Sequence, residues 1–318
     1  MDIKNLSDSI LNECKKIIVG KDDKIKLIIM AVLSDGHVIL DDLPGVGKTT
    51  LVKTMSIALG CDAKRIQFVP DLLPSDIQGM KIFNQKTCDF EIKKGPVNTN
   101  ILLADEINRA IPRTQSALLE AMEEKQITID GDSFALPRPF IVLATQNPVE
   151  AESTFKLPAA QMDRFLIKIT MGYPNPDEEK LMLERLGDKM DFASVKAVAN
   201  AESLVQAQGE ISNVKLNSLV ANYIVAIVNA TRNDERLAMG ASPRASRALY
   251  RASKTWAAMQ GRDFVTPDDV KFLAHPVLCH RLAMSGASRF AGSNASDILD
   301  EILESVPASP SASEVIDE

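Results

Sequence analysis

The sequence predicts an α/β protein in which a mostly parallel sheet, covered by helices on both faces, is followed by a smaller all-helical domain. Short apolar runs alternate with helix-like segments through the first half of the chain. A glycine-rich turn joins one apolar run, residues 37–40, to a helix-like segment, residues 49–59, that Gly60 closes. Strand-like runs stop after Tyr173-Pro174-Asn175-Pro176. We therefore predict a core at residues 1–173, a helical domain at 174–300 and an acidic, disordered tail at 301–318.

The remaining predicted strands are apolar runs bounded by turn or polar residues, and they lie at residues 65–69, 101–104, 140–144 and 165–169. Two further segments have the pattern of inserted hairpins. One covers residues 80–94 around Asn84-Gln85, and the other covers residues 126–134 around Asp130-Gly131. Neither hairpin is needed to complete a minimal parallel sheet.

The second half of the chain carries helix signals instead. Apolar residues recur at helical spacing over residues 215–232 and 242–260. Thr266-Pro267-Asp268-Asp269 predicts a helix start, because it combines a capping threonine, a proline in the first position and acids near the positive end of the helix dipole.

Composition describes an ordinary globular chain: 318 residues, 45% hydrophobic and 25% charged, which suits two domains. The longest apolar stretches, such as residues 223–228, are far shorter than the roughly 20 residues of a membrane-spanning helix. The N-terminus lacks a basic-then-apolar signal. We therefore expect no membrane insertion and a cytoplasmic location.

The net charge of −7 arises mainly at the end of the chain, where seven acids and no base follow Arg289. A nearly neutral body argues against a general nucleic-acid-binding surface but does not exclude a locally basic pore lining. Four cysteines without a C-x-x-C pair and three dispersed histidines argue against a metal knuckle or a disulfide framework.

Pro44-Gly45-Val46-Gly47-Lys48-Thr49-Thr50 has the pattern of a P-loop. In such a loop the backbone N–H groups and the following helix N-terminus bind phosphate oxygens, and glycine allows their close approach. Lys48 is the candidate for the β- and γ-phosphates of ATP, and the Thr49 hydroxyl is a candidate Mg²⁺ ligand. Asp42 stands where the usual pattern has glycine, so the motif needs support from its context.

That support comes from two other predicted strands. Residues 101–104 lead into Asp105 and Glu106, and residues 140–144 lead towards Asn147. Both would emerge at the carboxyl edge of the sheet, where open α/β folds bind ligands. Asp105 is the candidate Mg²⁺ partner, Glu106 the candidate base, and Asn147 a candidate for holding the attacking water. Taken alone, the acids would be a strand meeting solvent and Asn147-Pro148 an ordinary turn.

Several longer motifs resemble the MoxR family of AAA+ ATPases over nearly the whole chain. The motifs are Gly36-His37-Val38-Ile39-Leu40, Ala104-Asp105-Glu106-Ile107-Asn108-Arg109-Ala110, Gln115-Ser116-Ala117-Leu118-Leu119-Glu120-Ala121-Met122, Ala144-Thr145-Gln146-Asn147-Pro148 and Asp163-Arg164-Phe165. Gly240-Ala241-Ser242-Pro243-Arg244-Ala245 resembles the family's helical-lid motif, and Val19-Gly20-Lys21 resembles its segment on the base side of the nucleotide.

The resemblance implies an ATPase that works in a ring, usually a hexamer, with sites between subunits. Arg164 would be an arginine finger for the neighbouring subunit, and Arg244 a lid arginine that senses the γ-phosphate within its own subunit. Without the family, Arg164 would be a helix-end cation and Arg244 part of a solvated face. The resemblance also implies ATP and Mg²⁺, a client protein complex and a von Willebrand factor A domain partner.

Other functions remain open at this stage. The same motor architecture serves the ATPase subunit of magnesium-chelatase-like complexes. The residues of the motifs at 104–110 and 240–244 favour the MoxR family. A nucleic-acid motor is disfavoured by the lack of a basic domain. A non-hydrolysing ATP switch is disfavoured by the joint presence of Lys48, Asp105, Glu106, Asn147, Arg164 and Arg244.

Overall fold

A computed structural model describes residues 2–41, 45–146, 155–186 and 190–308. Asp42, Pro44 and Asn147 lie outside these residues. The chain forms two compact units that are interleaved along the sequence. The N-terminal unit consists of Asn5–Leu157 and Ile169–Gln206, and the helical unit of Met1–Lys4, Pro158–Lys168 and Ala207–Glu318. Because of this interleaving, the boundary after residue 173 stays a prediction.

The first half of the chain alternates strands and helices, as the sequence predicts. Its elements are α1 (Ile3–Cys14), α2 (Asp22–Leu33), β1 (His37–Asp41), α3 (Lys48–Leu59), β2 (Ala63–Gln67), α4 (Pro74–Gln78), β3 (Gly79–Asn84), β4 (Asp89–Lys94), β5 (Ile101–Asp105), α5 (Pro112–Glu124), β6 (Gln126–Ile129), β7 (Asp132–Ala135), β8 (Ile141–Gln146), α6 (Ala159–Met162), β9 (Phe165–Ile169), α7 (Pro176–Leu186) and α8 (Ala201–Ile211).

The main sheet has five strands in the order β2-β5-β8-β1-β9. The pairs β2–β5, β5–β8 and β8–β1 are parallel. Strands β1, β5 and β8 are almost wholly buried, as expected for parallel strands covered on both faces, whereas the edge strand β2 buries only Ile66. The predicted parallel α/β fold is therefore confirmed, and the carboxyl ends of β2, β5, β8 and β1 share one edge.

Two antiparallel hairpins leave this sheet. The first pairs β3 with β4 from Gly79–Lys94 to Asn84–Asp89, and the second pairs β6 with β7. Asp130 and Gly131 form the turn of the second hairpin, and both have positive φ. Asparagine, aspartate and glycine are preferred in such turns because they adopt positive φ more readily than other residues. Each hairpin is a separate two-stranded sheet, so neither one interrupts the parallel order of the core.

The second half is mainly helical. Its elements are α9 (Ser218–Asn233), β10 (Leu237–Met239), α10 (Pro243–Met259), α11 (Pro267–Leu278), β11 (Ala283–Met284), α12 (Gly286–Phe290) and α13 (Ala295–Ser305). The antiparallel pair β10–β11 was not predicted, because strands of three and two residues are too short to show alternation. No helix among the described residues is long and apolar enough to cross a bilayer.

The start of the predicted tail differs from the structure. Residues 301–305 continue α13, which buries Ile298, Leu299, Ile302 and Leu303 on one face. This helical spacing of apolar residues outweighs the acids between them, because the acids occupy the opposite, exposed face. Residues 309–318 lie outside the described part of the chain.

Candidate nucleotide site

The phosphate-binding turn opens directly into α3. Gly45 and Gly47 have φ angles of +88° and +82°, which L side chains rarely adopt. Gly47 is also the N-cap of α3 and supplies no side-chain cap, and the first turn contains no acidic residue. The first N–H groups of α3 are therefore available to an anion, and Lys48 at the first helical position adds a positive charge.

The acid pair follows β5, opposite this turn. Asp105 ends the strand, and Glu106 adopts a left-handed conformation with φ +55°. The fully buried Thr145 on β8 fixes both residues. Its hydroxyl donates to Asp105 Oδ1 at 2.6 Å and accepts from the Glu106 backbone N–H at 2.8 Å. Thr145 thus sets the positions of the two acids, a role that the sequence motifs did not reveal.

Strand β2 supplies a second set of contacts to the acids. Arg65 donates to Asp105 Oδ2 at 2.7 Å and to Gln67 Oε1 at 2.8 Å. Gln67 in turn donates to Glu106 Oε2 at 2.7 Å. Residues 65 and 67 share a strand face, and Gln67 lies in register with Asp105. Arg65 and Gln67 flank the buried Ile66, and this polar–apolar alternation is the sequence signal of a strand with one polar face. The prediction of an apolar run at residues 65–69 does not include it.

Arg109 completes the surroundings of Glu106. Its Nε lies 3.0 Å from Glu106 Oε2, the same oxygen that Gln67 contacts. Gln67 and Arg109 thus both contact Glu106 Oε2. The carboxylate is held in place by these contacts, which suits a group that orients an attacking water.

These residues line one cavity of about 380 Å³, a volume within the range of small-molecule sites. Its lining consists of Gly45, Gly47, Lys48, Thr49, Thr50, Arg65, Gln67, Asp105 and Glu106. The structure therefore brings most predicted P-loop residues together with both predicted acids. Val46 lies beside this lining without being part of it, and Pro44 and Asn147 lie outside the described residues.

Val19 and Gly20 line a different cavity of about 540 Å³, which shares no lining residue with the first. Gly20 has φ +72°, and a Cβ there would lie 2.0 Å from Glu178 Oε1. Lys21 donates to the Tyr173 carbonyl at 3.0 Å. The structure thus explains why glycine is required at position 20, and the role of this segment beside a nucleotide base stays a prediction.

The two predicted arginines belong to the helical unit. Arg164 is half-buried between α6 and β9, and Arg244 is exposed in the first turn of α10. Their predicted roles at the nucleotide stay predictions.

Oxygen ligands for a magnesium ion are present at the first cavity, although the described residues contain no cluster of His, Cys, Asp or Glu that could hold a metal by itself. Mg²⁺ usually keeps several waters and is bound by one or two protein oxygens together with substrate phosphates. The Thr49 hydroxyl and the Asp105 carboxylate fit that requirement, since both residues line the cavity.

The parallel sheet, the glycine-rich turn and the acid pair define a P-loop ATPase of the AAA+ class. A family model described as "ATPase family associated with various cellular activities (AAA)" matches residues 37–167, and an "AAA lid domain" model matches residues 229–302. The first match covers β1 to β8 and most of β9, and the second lies within the helical unit.

More specifically, the chain belongs to the MoxR family of AAA+ ATPases. It is 43% identical over 282 residues to Chaperone MoxR1 of Mycobacterium tuberculosis, covering 86% of this chain and 74% of that protein. It is 45% identical over 305 residues to the uncharacterized protein YeaC of Bacillus subtilis, covering 96% and 95% of the two chains. This membership confirms the resemblance seen in the motifs.

A solved structure agrees with the fold. The crystal structure of a candidate ATPase from Cytophaga hutchinsonii has a TM-score of 0.89 and 38% identity, covering 96% of this chain and 95% of that one. The similarity to magnesium-chelatase subunit ChlI-1 of Arabidopsis thaliana is more distant, at 24% identity over 243 residues and 53% of that protein.

Proposed function

We propose that this MoxR-family ATPase binds Mg²⁺-ATP in the cavity between the P-loop and the acid pair, and that hydrolysis there drives remodelling, assembly or activation of a client protein complex. The observation that carries the proposal is the single cavity in which Lys48 and Thr49 face Asp105 and Glu106. That arrangement combines a phosphate-binding helix terminus with carboxylates for metal and water.

Each residue then has a defined task. The α3 N-terminus and Lys48 bind the β- and γ-phosphates, and Thr49 and Asp105 would hold the magnesium ion. When bound, the ion neutralises charge on the phosphates. Glu106 Oε1 orients the attacking water while Oε2 stays fixed by Gln67 and Arg109. We also propose that Asn147 contacts this water.

The working assembly is proposed to be a ring, expected to be a hexamer, in the cytoplasm. Arg164 would enter the site of the neighbouring subunit, and Arg244 would contact the γ-phosphate of its own subunit. An arginine at a phosphoryl-transfer transition state contributes about 10³-fold or more to the rate. A von Willebrand factor A domain protein is the expected partner, by analogy with the family.

Glu106→Gln tests the hydrolysis and the client together. The variant should bind ATP with unchanged affinity and lower kcat by about 10²–10⁴, because the amide cannot accept a proton from water. The phosphate-binding residues Lys48 and Thr49 are unchanged in this variant. A fluorescent ATP analogue therefore measures nucleotide binding separately from hydrolysis. Unchanged hydrolysis in this variant would exclude Glu106 as the base.

The stalled variant also captures the client. We expect a specific protein complex to co-purify with Glu106→Gln in ATP and to be released in ADP, with Lys48→Ala as the control that binds no nucleotide. Recovery of no ATP-dependent partner would count against the chaperone role. Support of metal insertion into a porphyrin by the purified protein with chelatase subunits would favour the magnesium-chelatase alternative instead.

A further inference from the structure

A buried charge cluster lies in the helical unit and takes no part in lining the nucleotide cavity. The Arg281 side chain is 3% exposed, and its Nη1 donates to Asp163 Oδ1. The other oxygen, Asp163 Oδ2, accepts from the Ser242 hydroxyl at 2.7 Å. We call Asp163, Ser242 and Arg281 the Asp163 cluster. Its members come from three separate parts of the sequence, so the cluster ties those parts together.

The cluster holds Arg164 from both sides along the chain. Asp163 precedes Arg164 and is bound by Arg281 and Ser242. Phe165 follows it, and the Phe165 carbonyl accepts from Arg281 Nη2 at 2.5 Å and from His280 Nε2 at 3.1 Å. These contacts thereby hold the residues on each side of Arg164.

The same cluster reaches the helix that carries Arg244. Ser242 is the N-cap of α10, and its hydroxyl oxygen accepts from the Arg244 backbone N–H at 3.1 Å. One hydroxyl thus joins the first turn of α10 to Asp163. The same groups also interact through their charges. Burial lowers the pKa of Arg281, the Asp163 carboxylate raises it, and the nearby Arg244 lowers it. Asp163 therefore offsets the cost of burying Arg281 near a second cation.

On the basis of the proposed function, we propose that the Asp163 cluster is a positioning element that couples Arg164 to Arg244. A buried ion pair is costly to break once formed, so the segment around Arg164 and the start of α10 move as one body. A shift of α10 when Arg244 meets a γ-phosphate is then passed to Arg164. Since Arg164 serves the next subunit, the cluster would transmit nucleotide state from one site of the ring to the next.

Substitution of Ser242 can remove the contact between α10 and Asp163 while the α10 helix cap is retained. Ser242→Asp keeps an N-cap acceptor for α10 but places a second carboxylate against Asp163, so the link becomes repulsive. Ser242→Gly removes the hydroxyl, and glycine is nearly as good a cap as serine. Ser242→Asn is the matched control, because its amide caps the helix and also supplies an N–H donor for Asp163.

The experiment uses rings assembled from two variants. It measures ATP hydrolysis at sites where one variant supplies Arg164 to the other. Subunits with Arg164→Ala retain their own site but offer no arginine, and subunits with Glu106→Gln offer Arg164 but cannot hydrolyse ATP. Mixing them should restore hydrolysis at composite sites. The Glu106→Gln donor is then also given Ser242→Asp, Ser242→Gly or Ser242→Asn, and ATP affinity and the thermal midpoint of each donor are measured alongside.

We expect the Asp and Gly donors to lose about 10-fold or more of the restored hydrolysis, at unchanged ATP affinity, and the Asn donor to keep it. The donor's own site is already inactive, so the loss is measured at the neighbouring site that its Arg164 serves, in rings whose assembly is verified by sedimentation. Full restoration by the Asp and Gly donors, folded and binding ATP, would overturn the coupling. No restoration by the parent mixture would instead overturn the intersubunit site of the proposed function.

Discussion

Thr145 contacts both members of the acid pair through one hydroxyl group. Its buried hydroxyl is at once a donor to Asp105 and an acceptor from the Glu106 N–H. A β-branched side chain on a buried strand is usually interpreted as packing, and Ala144-Thr145-Gln146 carries no sequence signal to the contrary. The role becomes visible only when β5 and β8 lie side by side.

Thr145→Val should therefore impair both folding and turnover. The isosteric change leaves the part-buried Asp105 oxygen and the Glu106 N–H without this partner, which costs about 1–3 kcal/mol. We expect a lower urea midpoint and a kcat reduced by about 10-fold or more. Thr145→Ser retains the hydroxyl and is the control; a valine variant with normal kcat would show that the acids hold their positions without it.

His280 determines a stability change with pH. Its Nε2 donates to the Phe165 carbonyl, and burial, followed by the charge of Arg281, lowers its pKa from 6.5 to about 3. The unfolded chain therefore binds a proton between pH 6.5 and 3 that the folded chain does not. Because only the unfolded chain gains this proton, stability is complete above pH 6.5 and falls as the pH falls through this window.

The contribution lost at pH 5 should be about 2 kcal/mol of unfolding free energy. His280→Gln keeps an N–H donor but has no charge to gain, so the difference in stability between wild type and variant should shift by that amount between pH 7.5 and 5. Urea unfolding at both pH values measures it. A pH-independent difference would show that His280 accepts its proton in the folded state.

At the scale of single elements, helix starts were the most reliable sequence signals. Thr266 caps α11, Pro267 is its first residue, and Asp269 closes a capping box, as the four-residue pattern predicts. The structure adds a partner that the pattern could not contain. Arg262 donates to both carboxylate oxygens of Asp269, at 2.8 and 2.5 Å. The cap is therefore also one half of an ion pair.

Asp268 and Asp269 provide a matched comparison, since they are neighbours in the first turn of α11. Asp269 is 4% exposed and paired, whereas Asp268 is exposed. Asp269→Asn should cost about 3–5 kcal/mol of unfolding free energy, because it leaves Arg262 without its charged partner. Asp268→Asn should cost less than about 1 kcal/mol, the loss of a helix-dipole interaction. Chemical denaturation distinguishes the two, and equal costs would contradict this explanation.

Strand signals were less complete than helix signals. The buried strands β1, β5 and β8 were located within one or two residues, because they are nearly continuous apolar runs. The predicted strand at residues 65–69 was displaced from β2, which ends at Gln67. Four of the five residues of β2 are exposed, and its polar residues weaken the pattern on which the prediction depends. The other edge strand, β9, is buried except at Lys168 and coincides with the predicted residues 165–169.

At the scale of the whole molecule, the site is proposed to be complete only in a ring. The specific ATPase activity per subunit should then rise with protein concentration and reach a plateau as rings form. Activity measured over a dilution series, with sedimentation at the same concentrations, tests this. Constant specific activity across the monomer-to-ring transition would show that one subunit suffices.

Arg164→Ala is the companion variant for that series. It should assemble and bind ATP as the wild type does, yet its hydrolysis should fall by about 10³-fold or more at every concentration. A loss of ring formation in this variant would instead assign Arg164 to the interface itself.

The sequence by itself determined the class of fold, the family and the residues at the phosphate-binding end of the site. These follow from local patterns: a glycine-rich turn between a strand and a helix, and acids at the end of a buried strand. The tertiary structure decided which side chains hold those groups in place. Arg65, Gln67 and Thr145 reach Asp105 and Glu106 from other strands, and Arg281 reaches Asp163 from 118 residues away. Such contacts depend on strand order and packing, and no local pattern specifies which distant residue will complete a hydrogen bond.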